Sequence, residues 1–464
     1  MTLVMKFGGT SVGSAAAMKR TAELIRAAQQ DWGSVIVVAS AMSQVTDLLL
    51  RGAHGAIAGD KDAPREVTQL LREKHETALE NLVDPGPDFE AVLTEINGLI
   101  SRYHSLCRAV LVLGELTPRA LDVMSSMGER MSVRILAAYL RQIGMPAAAI
   151  DADTFIVTDN NFQAASPLDA ETAAGTARVI KPLLTEGIIP IVTGFMGATV
   201  AGTTTTLGRG GSDYSAAIIG QALPAQEVWI WTDVDGVMTT DPRIVPEARS
   251  IPSLTYREVA ELAYYGAKVL HPKTIRPVVE NDIPLRIKNT FNPDHPGTLI
   301  VPDDESGAGT IKAVTAIKDV GLITVAGRGM LGVPGIAART FGAVARTEVS
   351  VLLISQASSE QSICFATPAG HNAEVVASLE AELAEELKRR DIDSINSNMP
   401  VTIIHVVGAG MQGTPGIAGQ IFGILGQHKV NIIAIAQGSS ECSISLVVAS
   451  EQTAEAVKLI HSLI

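Results

Sequence analysis

Residues 5 to 12 read Met-Lys-Phe-Gly-Gly-Thr-Ser-Val, a short apolar run that delivers Lys6 into a Gly-Gly turn. Glycines let backbone N–H groups approach an oxyanion closely, and a neighbouring lysine adds a mobile positive charge. That combination suits a phosphate. It is not the Walker pattern, which ends its spaced glycines in Gly-Lys-Ser/Thr. A tight turn after an edge strand is the competing reading.

Four further segments carry residue types that could join such a site. Gly128-Glu129-Arg130-Met131-Ser132 opens an apolar helical stretch, which places Glu129 at a helix start facing a cleft; a solvated surface charge is the alternative. Thr203 to Asp213 ends in Leu-Gly-Arg-Gly-Gly-Ser-Asp and feeds a helix, with Ser212 as its expected N-cap. The N–H groups of a helix start bind anions, and Arg209 can fork onto a carboxylate or phosphate. Trp231-Thr232-Asp233-Val234-Asp235-Gly236-Val237 follows a strand, where α/β sheets bind ligands, so Thr232 and Asp233 are candidates for a nucleotide base or ribose. Tyr265-Gly266-Ala267-Lys268-Val269-Leu270-His271-Pro272 offers Lys268 as a second cation.

The elements that must position these groups are of α/β type. Residues 2–7 and 34–40 read as buried parallel strands with a helix near 15–30 between them. Residues 65–82 and 88–112 carry helical periodicity as an insertion covering a sheet edge, and another helical region runs from Pro118 to Gln142. Strand-like segments at 188–193, 227–232 and 284–288 alternate with helices near 212–222 and 256–280. A first domain over 1–303 is expected, followed by the linker-like stretch Pro302 to Gly309.

An internal repeat follows. Residues 327–365 and 408–446 align without a gap at an offset of 81, with 18 of 39 positions identical, too many for chance. The region 304–464 thus holds two copies of one module, with cores at 320–390 and 400–464 and the 308–318 segment available to pair with the second. Gly327, Gly329 and Gly332, like Gly408, Gly410 and Gly413, match the dinucleotide-binding glycine pattern. Too little chain follows the second match for a nucleotide-binding fold, and Pro334 and Pro415 stand just beyond the glycines. The next strands, 349–355 and 430–436, lead into Gln rather than an acidic ribose ligand. A β-α-β module with a Gly-rich turn fits better.

Composition excludes several classes. Hydrophobic residues make up 47% and aromatics only 4%, so the cores are aliphatic. The net charge of −13 and the lack of a Lys/Arg cluster speak against a nucleic-acid partner. Three scattered cysteines point to a reducing, cytoplasmic setting, and neither they nor the nine histidines show metal-ligand spacing, so no protein metal site is expected. No signal peptide is apparent at the N-terminus, and the apolar stretch 188–200, broken by Pro190 and glycines, is too short to span a membrane.

Taken together, Lys-Phe-Gly-Gly-Thr-Ser-Val, Leu207 to Asp213 and Tyr-Gly-Ala-Lys-Val-Leu-His-Pro resemble the aspartate kinases of the amino acid kinase superfamily. The resemblance runs from Lys6 to the last repeat. It implies a parallel-rich sheet flanked by helices, then two βαββαβ ACT modules that bind amino-acid effectors. The Gln-x-Ser-Ser-Glu segments resemble the threonine-responsive branch. With the last residue at Ile464, a monofunctional enzyme without a fused homoserine dehydrogenase domain is expected.

The resemblance further implies ATP and Mg²⁺ as cofactor and L-aspartate as substrate, giving 4-phospho-L-aspartate. By it, Lys6 stabilises the transferring phosphoryl group and Asp213 orients Lys6. Gly8, Gly9 and Ser11 hold phosphates, Lys268 and Arg243 contact ATP, and Thr232 and Asp233 lie near its base or ribose. Arg209 clamps the substrate α-carboxylate, Glu129 meets its ammonium, and Ser40, Thr46, Phe195 and Ser212 line the pocket. Mg²⁺ would be held largely by phosphates and water. Met330, Val349, Gln356, Met411, Asn431 and Gln437 are the implied effector contacts, with L-threonine favoured and a homodimer or larger assembly formed through the modules. Met238 stands where the family usually has Tyr, so a hydroxyl contact to the nucleotide is lost. Another acyl-phosphate-forming kinase, for instance for N-acetylglutamate, and a non-catalytic amino-acid sensor are the competing functions.

Overall fold

Leu3 to Phe7 are fully apolar except for Lys6, and a strand of that kind is stable only when buried on both faces. In a computed structural model of the chain it becomes a central strand. The structure describes residues 1–264, 270–302, 311–330, 333–356, 361–438 and 441–464. The chain forms two compact units. The first comprises Met1–Val237, Ser250–Tyr256 and 270–302; the second comprises Met238–Arg249, 257–264 and the chain from 311 onward. Two short segments from before residue 303 therefore belong to the second unit.

The elements of the first unit run in order: β1 (Thr2–Phe7), α1 (Ala15–Asp31), β2 (Ser34–Ala39), α2 (Val45–Ile57), α3 (Ala63–Glu80), α4 (Pro87–Leu113), α5 (Pro118–Ser125), α6 (Met127–Gln142), β3 (Ala147–Ile150), β4 (Val157–Thr158), α7 (Asp169–Thr185), β5 (Ile189–Thr193), β6 (Met196–Thr199), β7 (Thr204–Thr206), α8 (Gly211–Ala222), β8 (Glu227–Thr232) and β9 (Ser253–Thr255). After α9 (Tyr256–Tyr264), which lies almost wholly in the second unit, come α10 (Pro272–Val279), β10 (Leu285–Asn289) and β11 (Thr298–Val301).

Eight strands form one sheet in the order β3-β5-β2-β1-β8-β10-β11-β9. All neighbours are parallel except β10 and β11. The chain leaves β1 toward β2 on one side and reaches β8 on the other, so the carboxyl end of β1 is a topological switch point where such sheets bind ligands. Lys6 sits at that end.

Local chemistry sets the breaks. The helical stretch from Pro118 is two helices rather than one: Thr117 caps α5 by accepting the Ala120 N–H, and the chain turns at Ser126 before α6. Ser212 is not an N-cap. Gly210, left-handed at φ 73°, turns the chain into α8 two residues earlier, so Ser212 lies inside the first turn. Among the described residues of 256–280 there are two helices, with Pro272 starting α10 and His271 capping it.

The second unit holds β12 (Ala313–Ala326), α11 (Ile336–Ala345), β13 (Leu353–Gln356), β14 (Ser362–Pro368), α12 (Asn372–Glu382), α13 (Ala384–Arg389), β15 (Ser394–Val407), α14 (Ile417–Gln427), β16 (Ala434–Gln437), β17 (Ser443–Ala449) and α15 (Thr453–His461). Its antiparallel sheet has the order β13-β14-β12-β15-β17-β16. Strands β12 and β15 serve both repeats: Val320–Ala326 pair with β14, whereas Ala313–Ile317 pair with Ile403–Val407. The repeat strands are shorter than 349–355 and 430–436. Val349 and Val351 pack on the core of the first repeat outside the strand, so burial rather than pairing uses their apolar side chains. The glycines at 327 and 329 let their turn lie against the Asp391–Ile392 backbone, which is a packing role within the module.

Candidate active site

Strand β1 places Lys6 beside Val38 of β2 and Ile230 of β8. Its ammonium reaches Asp213 Oδ1 at 2.6 Å, and both side chains are largely buried. The contact is a charge pair without hydrogen-bond alignment. Asp213 stands in the first turn of α8, where the helix dipole favours an anion. The turn after β1 is tied down from both sides. Gly8 N–H donates to the Trp231 carbonyl, Ser11 N–H to Gly8 O, and the buried Ser11 hydroxyl bonds the Thr290 hydroxyl at 2.7 Å. The N–H groups of Gly8 and Ser11 are thus spent on the fold, and Gly9 N–H is the one of the three that has no partner among the described residues.

The loop after β2 meets the start of α6 at a close approach. A Cβ on Gly128 would stand 2.7 Å from Ala41 Cβ, so only glycine allows this spacing. Glu129 then accepts the Ala41 N–H at 3.1 Å with one carboxylate oxygen. Its other oxygen, Oε2, is buried with no hydrogen-bond partner. Burial pushes the Glu129 carboxyl up to about 8, against the opposing pull of the Ala41 N–H. Arg130, next in sequence, anchors the helix through Asp151 at 2.6 Å and through Asp153.

These groups open on one cleft of about 530 Å³. Its walls bring together Lys6, Gly9 and Asp213 with Ser40, Thr46 and Glu129, and close on the far side with Phe195, Arg209 and Ser212. Arg209 is exposed and has no ion pair or hydrogen bond among the described residues. Backbone strain is present here: Gln44, Gln163 and Phe195 line the cleft at positive φ, near 67°, 67° and 71°. Such strain clusters at ligand sites.

Asp122 and the Gln44 and Gln163 positions were not legible as cleft residues. Asp122 sits in an ordinary helical pattern, and left-handed glutamines carry no sequence signal. Asp122 is fully buried; its carboxylate accepts the Thr206 hydroxyl at 2.7 Å, the Thr206 N–H at 3.0 Å and the Gln163 N–H at 3.0 Å. Burial raises its pKa, and the three donors pull it back.

The remaining candidates lie elsewhere. Thr232 and Asp233 stand at the carboxyl end of β8, outside the cleft walls, with the Thr232 hydroxyl donating to Asp233 at 3.2 Å. Arg243 belongs to the second unit, where its exposed guanidinium forks onto Asp241. Lys268 lies outside the described residues.

In the second unit each repeat has a cavity beside its glycine turn. Met330 and Gln356 line one of about 320 Å³, and Met411 and Gln437 line the other, of about 360 Å³. Val349 and Asn431 line neither; Val349 packs on the module core, and the Asn431 N–H donates to Gln452. In the second cavity the Gly413 N–H already donates to Glu441. Residues 357–360, 439 and 440 of the Gln-x-Ser-Ser-Glu segments lie outside the described residues, as does Gly332.

A profile of the amino acid kinase family matches residues 1–289, and a profile of the ACT domain matches 323–383 and 404–463. The chain is 37% identical to a chloroplastic bifunctional aspartokinase/homoserine dehydrogenase of Daucus carota, covering 100% of this chain and 50% of that protein. It spans about half the length of the first such relatives. Chloroplastic aspartokinase 2 of Arabidopsis thaliana is 34% identical, over 100% of this chain and 84% of that one. Among solved structures, E. coli aspartokinase III in complex with aspartate and ADP superposes with a TM-score of 0.81 at 31% identity, covering 100% of both chains. The same enzyme in complex with lysine and aspartate gives 0.80 at 32%, covering 99% of each.

Proposed function

The chain belongs to the amino acid kinase family, in its aspartokinase branch with C-terminal ACT domains, and from that premise we propose that it transfers the γ-phosphoryl group of ATP to the β-carboxylate of L-aspartate. One observation carries the reading: a single cleft joins the Lys6–Asp213 charge pair to a buried glutamate with an unpartnered oxygen. That oxygen asks for a cation, and a free α-ammonium supplies one. An N-acetylated substrate would leave it unpaired, which disfavours the N-acetylglutamate alternative.

The chemistry needs no general base. A carboxylate with a pKa near 3.9 is already ionised at neutral pH. A β-carboxylate oxygen attacks the γ-phosphorus, the bond to the bridging oxygen of ATP breaks, and 4-phospho-L-aspartate and ADP leave. The barrier lies in bringing an anion to a polyanion, so positioning and charge neutralisation dominate. In this reading Lys6 neutralises charge on the transferred group and Asp213 aims Lys6. Gly9 N–H holds a phosphate oxygen, Arg209 binds the α-carboxylate, and Glu129 binds the ammonium.

Mg²⁺ fits the cleft as an ion carried on the nucleotide. Asp213 is engaged by Lys6 and Asp122 by three donors, and among the described residues no group of three His, Cys, Asp or Glu could cage it. When bound it would supply charge neutralisation on the phosphates.

Regulation is part of the proposal. An amino acid, L-threonine in the first instance, binds the cavity at Met330 and Gln356 and favours a less active state. Gln356 supports this as a polar side chain in an otherwise apolar wall. Lysine is the competing effector, because E. coli aspartokinase III was solved with it. Assembly of copies through the ACT modules and a cytoplasmic location complete the reading; three cysteines scattered along the chain, Cys107, Cys364 and Cys442, suit a reducing compartment. Among the described residues no helix is long and apolar enough to cross a membrane. ADP release by the purified chain, with MgATP and with or without L-aspartate and L-threonine, tests both parts.

A further inference from the structure

We propose that Asp122 is a positioning residue: it fixes the Arg209 loop and thereby sets the affinity for the acidic substrate. The inference rests on the functional reading above. Asp122 lies on α5 in the cleft wall, fully buried, yet both its oxygens point into the protein. Oδ1 accepts the Thr206 hydroxyl, and Oδ2 accepts the Thr206 N–H. Both lie 3.0–3.1 Å from the Gln163 N–H, so one carboxylate joins three chain segments.

Two of those segments frame Arg209. Thr206 ends β7 and is followed by Leu207, Gly208 and Arg209. Gly208 has φ 79°, and a Cβ there would stand 2.8 Å from the Gln163 carbonyl, so the Gln163 turn lies directly against the arginine loop. Gln163 is itself held at φ 67°. A non-glycine residue in that conformation persists only where its surroundings enforce it, and Asp122 does so by binding its N–H.

The residue type follows from the donors. Two backbone N–H groups and the Thr206 hydroxyl point at Asp122, and a carboxylate accepts from all three at once. An asparagine would turn an NH₂ toward another N–H. A carboxylate beside the site of an acidic substrate would ordinarily repel it. Here the charge is spread over three neutral donors, whereas Glu129 keeps an oxygen spare for the ammonium. The two cleft carboxylates therefore do different work: Glu129 touches substrate, and Asp122 acts through Arg209.

Steady-state kinetics of the full chain with MgATP and L-aspartate test this. Asp122→Asn is expected to raise the aspartate KM about tenfold or more, with the ATP KM within about twofold of wild type. Thr206→Val, which removes one donor, should move the aspartate KM the same way by less, and Thr206→Ser should restore it. An unchanged aspartate KM in Asp122→Asn overturns the inference while the wild-type turnover still upholds the kinase. Equal damage to both KM values and kcat, with a lowered melting temperature, also overturns it, because that marks a purely structural residue. If Asp122→Asn does not fold, the Thr206 pair decides alone. A wild-type chain without aspartate-dependent turnover removes the functional reading and the inference together.

Discussion

Glu129 accepts the Ala41 N–H with one oxygen and buries the other without a partner. A half-satisfied buried carboxylate is costly unless it is neutral or meets a cation. The free protein takes the first course, since burial raises its carboxyl to about 8. Under the proposed function, binding of the substrate ammonium takes the second.

This sets a pH dependence. Below about 8 the free protein holds Glu129 protonated, and binding of an ammonium must expel that proton. The aspartate KM should fall as pH rises from 6 to 8, approaching about tenfold per unit at the acidic end, and level off above. Glu129→Gln should raise the KM and flatten the profile. A flat wild-type profile of kcat/KM for aspartate would show that Glu129 does not meet the ammonium.

Gly128→Ala tests the close approach that aims Glu129. The added methyl group meets Ala41 and Val45 at 2.7 and 3.0 Å, so α6 must shift. Overpacking of this kind costs about 1–3 kcal/mol. The variant should melt lower and lose aspartate affinity while keeping its ATP KM. A thermal melt and two KM values check it.

His75 offers a stability test remote from the cleft. It is fully buried in α3, its Nδ1 bonds the Leu71 carbonyl, and burial lowers its pKa from 6.5 to about 4. Above pH 6.5 it is neutral in both folded and unfolded chains. As pH falls from 6.5 toward 4 the unfolded chain takes up a proton that the folded one refuses, so stability falls. The loss is on the order of 3 kcal/mol across that window. His75→Leu should show a shallower drop in urea melts over the same range, and an identical drop would assign the acid sensitivity elsewhere.

Gln356→Ala should weaken inhibition by L-threonine without changing uninhibited kcat, because Gln356 is the polar group of the first-repeat cavity. Gln437→Ala should matter less, since Glu441 already takes the Gly413 N–H of the second cavity. Inhibition curves for the two variants compare them. Full inhibition of the double variant would remove both glutamines from the effector site.

Much of this was legible in the chain. The apolar run around Lys6 reads as a buried strand, and the 81-residue repeat as two copies of one module. Glu129 was legible as a cleft candidate because Gly128 precedes it and an apolar helical stretch follows, although a solvated surface charge fitted the same residues. What stayed hidden depended on contacts between distant segments. Ser212 has the chemistry of a cap, yet Gly210 takes that place because its left-handed φ of 73° turns the chain into the helix two residues earlier. Gly8 looks like a phosphate-binding glycine, but its N–H is spent on Trp231. Asp122 has no local signature at all, since its partners lie 41 and 84 residues away.

Aspartate-dependent ADP release, compared between wild type and Lys6→Ala at saturating MgATP and L-aspartate, tests the central claim most directly. The account predicts turnover that requires L-aspartate and falls about a hundredfold or more when Lys6 is removed. ADP release indifferent to L-aspartate, or a Lys6→Ala chain that turns over near the wild-type rate, would contradict it.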